Sequence, residues 1–379
     1  MFTLPAYLYR GGTSKCWLFC EPDLAPFAPD ESELSRILSA ALGGDDPREI
    51  NGVGGATTTT SKAAVITPTP GADSHLSYTF AQVGIGDGTV EYGSNCGNCA
   101  TAIGLFALDQ GYAPIVDGVS DVRMYNTNTD TVLTARVATP GGVVPDLGDA
   151  RVPGTRTTGV GVELGFLEPA GGRSPLPTGN PIDEFDVGDR RASATLVSPG
   201  APAALFRASD LGRTGSETLS EMSDFAPTLA TARRPAALAM GLISESDPTS
   251  HAVPKLGIVG PPADYVTPLD EHISASDYDI AVRMLSMNAP HPAIGLRSAV
   301  AVAAAAATPG GTVAEVLGGA LSPENNRSLR IGTPGGIVAV DVTFAADGSM
   351  AHVGLHRAAR RIAQAVLSIP LSRATAVAG

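Results

Sequence analysis

Three glycine-rich segments in the first hundred residues end in side chains that can handle an anion or a proton. They are Arg10-Gly11-Gly12-Thr13-Ser14-Lys15-Cys16, the stretch from Gly52-Val53-Gly54-Gly55 to Thr60-Ser61-Lys62, and Gly93-Ser94-Asn95-Cys96-Gly97-Asn98. Glycine lets backbone approach a ligand and leaves amide N–H groups free to point at it. The hydroxyls of Thr60 and Ser61, and the lysine that closes each of the first two segments, add donors for an anion. Neither segment has the spacing of a P-loop, which disfavours nucleotide binding. Taken singly, each segment also reads as an ordinary tight turn.

Cys96 and Lys62 are the sharpest candidates. Cys96 stands just before a helical stretch, where its sulfur meets unpaired N–H groups and the positive end of the helix dipole. That setting is expected to lower a thiol pKa, and the N–H groups of Gly97 and Asn98 suit a carboxylate. Lys62 is followed by Ala63-Ala64-Val65-Ile66, so partial desolvation is expected to move its amine toward the range of a useful base. The plainer readings are an inert buried thiol and a solvent-facing lysine. The four cysteines leave two further chemistries open. Cys96-Gly97-Asn98-Cys99 has redox spacing but lacks the aromatic cap and βαβ context, and Cys16, Cys20, Cys96 and Cys99 could supply four zinc thiolates. Trp17-Leu18-Phe19 reads instead as strand, with Cys16 and Cys20 on one face.

The elements that must position these residues are mostly short strands, marked by 44 glycines and 30 prolines spread evenly between apolar runs such as 63–66 and 257–259. A surface helix is expected over 30–41, and helices buried on every side over 99–110 and 298–308. A last helix over 354–367 carries Arg357, Arg360 and Arg361. The two buried helices occupy similar places in the two halves, which predicts two similar domains, each a curved sheet around one helix. A Gly- and Pro-rich linker is expected over 171–183, giving domains of 1–183 with 350–379, and 184–349.

Composition narrows the function. The net charge of −13 argues against nucleic acid, because phosphate backbones need a basic stripe. An anionic substrate would need a local positive pocket set against that overall field. No run of about 18 apolar residues predicts a membrane span. Met1 to Arg10 lacks the features of a secretory signal, so a soluble cytoplasmic protein is expected.

Beyond these features, the segments 9–15, 52–62 and 94–98 resemble the methylaconitate isomerase (PrpF-like) family, within the diaminopimelate-epimerase-like fold. The resemblance continues through Leu176 to Asn180, Ala208 to Gly215, Pro254 to Pro262, Arg283 to Met287, His291, Pro309-Gly310, Arg330 to Gly332 and Ala358 to Arg361. It implies an α+β fold of two similar domains, each a mostly antiparallel curved sheet or barrel around a central helix, with the active site between them. It implies isomerisation of a small unsaturated di- or tricarboxylic acid without cofactor or metal, Lys62 and Cys96 being the catalytic pair. Ser14 and the turn Asn95 to Asn98 match substrate-carboxylate binders, and Arg283, Met287 and His291 match second-domain residues of the cleft. The implied partners are a small polycarboxylate and, as an option, a second copy of the chain in a homodimer.

The chemistry implied is allylic proton transfer. A hydrogen next to a C=C–COO⁻ unit is acidic only if the dienolate is stabilised, which N–H groups and arginines at the carboxylates supply. Return of the proton to the same carbon gives a cis–trans isomer; return to the other end shifts the double bond. Departures from the family pattern bear on substrate choice. Cys16 replaces a glycine, Thr333 and Gly335 replace a histidine and a serine, and Leu296-Arg297-Ser298 stands where small residues open the second buried helix. Arg297 there could grip an additional carboxylate. No cysteine follows Cys99, which disfavours two-thiol racemisation. A non-catalytic relative that binds a carboxylate or a partner, and a CxxC thiol-redox protein, are the rival readings.

Overall fold

Period-two alternation starts with the first residues: Phe2, Leu4 and Ala6 are buried while Thr3 is exposed, so the chain opens as a strand with one face on a core. The computed structural model describes residues 1–93, 96–167, 174–249, 253–325 and 327–371. Two units emerge. The first comprises Met1–Val152, Thr157–Gly165 and Arg357–Gly379, and the second Pro153–Arg156 and Phe166–His356.

The first unit contains β1 (Phe2–Gly11), β2 (Ser14–Cys20), α1 (Glu21–Leu24), α2 (Glu31–Leu42), β3 (Lys62–Pro68) and β4 (Leu76–Val83). It continues with β5 (Val90–Glu91), α3 (Gly97–Asp109), β6 (Gly118–Asn126), β7 (Thr131–Thr139) and most of β8 (Val160–Leu167). The second unit holds β9 (Asp183–Val187), β10 (Arg190–Val197), β11 (Ala203–Arg207), α4 (Leu219–Ala230), α5 (Arg233–Ala239) and β12 (Lys255–Gly260). After the short β13 (Tyr265–Val266) and β14 (His272–Ile273) come β15 (Ile280–Ser286), β16 (Ala289–Pro290), α6 (Leu296–Ala306), α7 (Thr312–Leu317), β17 (Leu329–Thr333) and β18 (Gly336–Phe344). The last strand, β19 (Met350–Ile369), supplies its beginning to the second unit and its remainder to the first.

The two units share one pairing scheme. In the first, β19–β1 and β1–β2 are antiparallel, β2–β3 parallel, β3–β4 antiparallel, β4–β6 parallel and β6–β7 antiparallel. In the second, β9–β10 and β10–β11 are antiparallel, β11–β12 parallel, β12–β15 antiparallel, β15–β17 parallel and β17–β18 antiparallel. Each series has helices between its third and fourth strands and one wholly buried helix before its sixth. The expected likeness of the halves is therefore present in topology although the letters do not repeat.

The sheet of the first unit curves around α3. That helix packs on β1 and β2 and also on β6 and β7, and β3 and β4 lie between those pairs in the sheet. Every residue from Cys99 to Leu108 is buried, as is every residue from Ser298 to Ala306 of α6. Small side chains make this close fit possible. A Cβ on Gly104 would lie 2.3 Å from that of Ala135 on β7. The surface helix α2 follows its signals: the Asp30 carboxylate accepts from the Glu33 N–H at 2.9 Å, and Gly43 ends it in the left-handed region.

The helix expected over 354–367 is instead part of β19. Alanine, arginine, glutamine and leucine favour helix locally, but β1 offers a full antiparallel partner from Phe2 opposite Ile369 to Gly11 opposite Ala359. Tertiary pairing wins. The domain limits move with it: residues 350–355 pair with β18 in the second unit, and the earlier crossover falls at Gly165/Phe166 rather than near 183. Of the expected linker, Gly171 to Arg173 lie outside the described residues. Helix α4 escaped notice despite a capping box between Thr218 and Glu221, because Pro227 interrupts its pattern. Among the described residues no helix is long and apolar enough to cross a membrane.

The α3–β7 contact gives a direct test. Gly104→Ala should lower unfolding stability by about 1–3 kcal/mol in denaturant titration, since helix or strand must shift. Gly161→Ala, whose Cβ would meet only that of Ala150 at an ordinary 3.6 Å, should change it by less than about 0.5 kcal/mol.

Candidate active site

The amino end of α3 is built against the β1–β2 turn. A Cβ on Gly11 would lie 1.8 Å from the Asn98 carbonyl oxygen, and one on Gly12, at φ 52°, would lie 2.1 Å from Asn98 Oδ1. The glycines of the first segment therefore let the turn touch the first turn of the helix. Asn98 is then held from both ends: its Nδ2 donates to Thr13 Oγ1 at 2.9 Å and Ser14 Oγ at 3.1 Å, and its Oδ1 accepts from Arg357 Nη2 at 2.7 Å. Cys96 occupies the N-cap in extended conformation, and no acidic residue lies in the first turn. The N–H groups of Gly97 and Asn98 have no acceptor within the helix, which leaves a positive pole suited to an anion.

Lys62 opens β3 and is 9% exposed. Its amine donates to Gln82 Oε1 at 2.6 Å and lies 5.0 Å from the centre of the Phe80 ring. Gln82 is directly opposite Lys62 on β4, and Phe80 is two residues away on the same face. The Gln82 amide is oriented by its own Nε2, which donates to the Ser61 carbonyl at 2.9 Å. The charge of Lys62 acts on both Cys96 and Cys99, which places amine and thiols in one microenvironment.

The thiol departs from expectation. The hydrogen bond with Cys99 pushes the Cys96 pKa well above the usual thiol range, burial adds to this, and Lys62 opposes it. Cys99 is pushed up by burial, with its contact to Cys16 adding to that rise and Lys62 opposing it. The helix pole thus does not win at Cys96, because the hydrogen bond with a second thiol and the loss of water around the sulfur both favour its protonated form. Cys20 stands elsewhere, its sulfur 3.3 Å from the Tyr112 hydroxyl, so the four cysteines do not converge; among the described residues there is no metal-binding cluster.

The other expected residues divide. Ser14 is buried beside Asn98, and Asn95 lies outside the described residues. Thr60 is half-buried in a turn with Thr57, their hydroxyls 2.7 Å apart. Ser61 is fully buried and donates to Glu49 Oε2 at 2.6 Å, an oxygen that also accepts the Ala56 N–H at 2.6 Å. Its hydroxyl clamps the loop that delivers Lys62. Of the second glycine-rich segment, Val53 and Gly54 donate to the Ala41 and Leu42 carbonyls at the end of α2, a packing role.

Four expected residues belong to the second unit. Arg283 is 1% exposed, and its guanidinium donates to the carbonyls of Glu217, Val282 and Gly332 beside the Tyr265 ring. Met287 is exposed at positive φ in the turn after β15. His291 accepts the Ala293 N–H at its Nδ1. Arg297 is exposed in the first turn of α6, and its Nε donates to the Gly200 carbonyl at 2.8 Å. Sequence reading missed Gln82, Glu49 and Arg357. The first two show their roles only through strand register and loop closure, and Arg357 was hidden by the helix expected around it.

The model of the family described as PrpF protein matches residues 1–370. The chain is 34% identical to the 2-methyl-aconitate isomerase of Shewanella oneidensis over 350 residues, covering 87% of each. It is 32% identical to the (4E)-oxalomesaconate Delta-isomerase of a Novosphingobium species over 375 residues, 97% of this chain and 98% of that one. A crystal structure of a methylitaconate-delta-isomerase superposes with a TM-score of 0.85 at 30% identity, over 97% of this chain and 95% of that chain.

The raised thiol predicts reactivity with a definite sign. Alkylation by iodoacetamide needs the thiolate, so the rate at Cys96, followed by peptide mapping, should still be climbing above pH about 8.5. A plateau reached near neutral pH would instead show a depressed thiol.

Proposed function

This chain belongs to the PrpF family and is an isomerase, and on that premise we propose that it moves a proton within a small unsaturated di- or tricarboxylic acid, without a cofactor. The observation that carries the reading is the position of Cys96 at the N-cap of α3 in the same microenvironment as the buried Lys62, whose charge acts on its thiol. The fold name that goes with this reading is diaminopimelate-epimerase-like, as the sequence resemblance implies.

The groups divide the work by their surroundings. Cys96, held protonated by Cys99 and burial, is the proton donor. Lys62, fixed through Gln82 and Phe80, is the group that takes the allylic proton. As the C–H bond breaks, its electron pair spreads into the conjugated carboxylate. The N–H groups of Gly97 and Asn98 face the charge that develops there. The former double bond gains single-bond character. Proton return then gives either the geometric isomer or the shifted alkene, depending on which carbon faces the donor. Ser14, behind Asn98, holds the anion-facing surface in shape.

In the second unit, Arg297 supplies a cation at the start of α6, and we assign it the recognition of a third carboxylate. Its guanidinium has one arm on the Gly200 carbonyl, which fixes the plane of the rest.

Deuterium exchange tests the reaction. Aconitate, 2-methylaconitate, methylitaconate and oxalomesaconate are offered in turn in heavy water, and solvent deuterium is expected at the allylic carbon of one acid. Lys62→Ala and Cys96→Ser should each lose at least about a hundredfold in rate while unfolding at the wild-type temperature. A variant that keeps full activity removes its residue from the mechanism, and no exchange with any acid ends the reading. For Arg297→Ala, KM should rise about tenfold for a tricarboxylate and little for a dicarboxylate. Equal effects on the two would withdraw the assignment.

A further inference from the structure

Strand β19 brings into the first unit a guanidinium whose chemistry is incomplete. Arg357 is 6% exposed. One arm is used, Nη2 donating to Asn98 Oδ1 at 2.7 Å, but its Nε is buried and meets no acceptor among the described residues. No carboxylate pairs with it among those residues. The charges that bear on it are Cys96, which favours its cationic form once ionised, and Arg10, which opposes it. Burial pulls its pKa down to about 10, still leaving it a cation at neutral pH.

Arg283 shows what a structural arginine looks like at similar burial. It is surrounded by carbonyl acceptors, with Nε on Glu217 and Nη1 on Val282 and Gly332. Among the described residues Arg357 has no such shell. A buried cation without a counter-ion is costly to maintain, and an anion arriving beside it removes that cost. The used arm packs close to the β1–β2 turn, where only glycine fits: a Cβ on Gly12 would lie 2.7 Å from Nη2. Arg357 is bonded to the second residue of α3, so it lies by the positive end of that helix, and a planar guanidinium suits a planar carboxylate.

We propose that Arg357 is the cation that receives a substrate carboxylate at the amino end of α3, while its bond to Asn98 holds the first turn of that helix in place. The assignment rests on the acid-substrate reading given above, but one arm of its test does not. The ionisable groups around the site are Cys96 and Cys99 on α3, Lys62 on β3, Cys16 on β2 and Arg10 on β1. All of them are retained in the variants used.

The probe is Cys96 itself, alkylated at fixed pH by iodoacetate and, separately, by neutral iodoacetamide. In both cases the sulfur forms a bond to carbon, iodide leaves and the thiol proton passes to solvent. The ratio of the two rates cancels changes in thiol reactivity and reports attraction for a carboxylate. Arg357→Gln should lower that ratio about tenfold, and Arg357→Lys, which keeps the charge but loses the fork, about threefold. In a second arm, tricarballylate, a saturated tricarboxylate, should protect wild-type Cys96 and protect both variants at least about tenfold less well. An unchanged ratio in either folded variant overturns the proposal; Arg357→Lys decides it if Arg357→Gln does not fold. A lowered ratio without any protection of wild type by tricarballylate upholds Arg357 as the anion-facing cation and removes the polycarboxylate as substrate.

Discussion

The contact on which the site depends is the seating of the β1–β2 turn against the first turn of α3. Glycine at positions 11 and 12 lets backbone meet backbone, and Asn98 locks the junction with three side-chain hydrogen bonds. Everything chemical is arranged around that lock. Cys96 precedes it in the chain, Ser14 lies under it, and Arg357 grips it from β19. The helix pole becomes useful only because the turn holds it at a fixed place, and because the uncharged, fully buried body of α3 cannot shift without disturbing four strands.

The second unit repeats this junction with different chemistry. Gly200, between β10 and β11, lies where a Cβ would come within 2.4 Å of the Arg297 carbonyl oxygen, as Gly11 does with Asn98. Asn98 and Arg297 are each the second residue of their buried helix. At the N-cap, however, Gly295 stands where the first unit has Cys96. One scaffold has thus been used twice, once with a proton-bearing thiol and once without.

Much of this was legible in the residues, and the limits have physical causes. Lys62, Cys96 and Asn98 stood out at the ends of glycine-rich segments and Ser14 through the family resemblance, while the two buried helices showed as runs of small apolar residues. Strand β19 was misread because the local preferences of alanine and arginine say nothing about a partner more than 350 positions away. The same error hid Arg357. Ser61 resembled a ligand donor until Glu49, far from it in spacing logic but adjacent in the closed loop, claimed its hydroxyl. The direction of the Cys96 shift was also out of reach, because it depends on the Cys99 hydrogen bond and on burial, which a one-dimensional pattern does not encode.

The continuity of β19 has a consequence for how the chain is made. Phe2 pairs with Ile369, which lies 367 positions further along the chain, and Arg357, which reaches Asn98, lies on the same strand as Ile369. The sheet of the first unit is therefore completed only when residues 357–369 have been made, by which point the intervening strands of the second unit have already emerged. During that interval β1 has an unpaired edge. The Arg357–Asn98 bond and the closure of that edge depend on the same strand, so a chain without residues 357–369 lacks both.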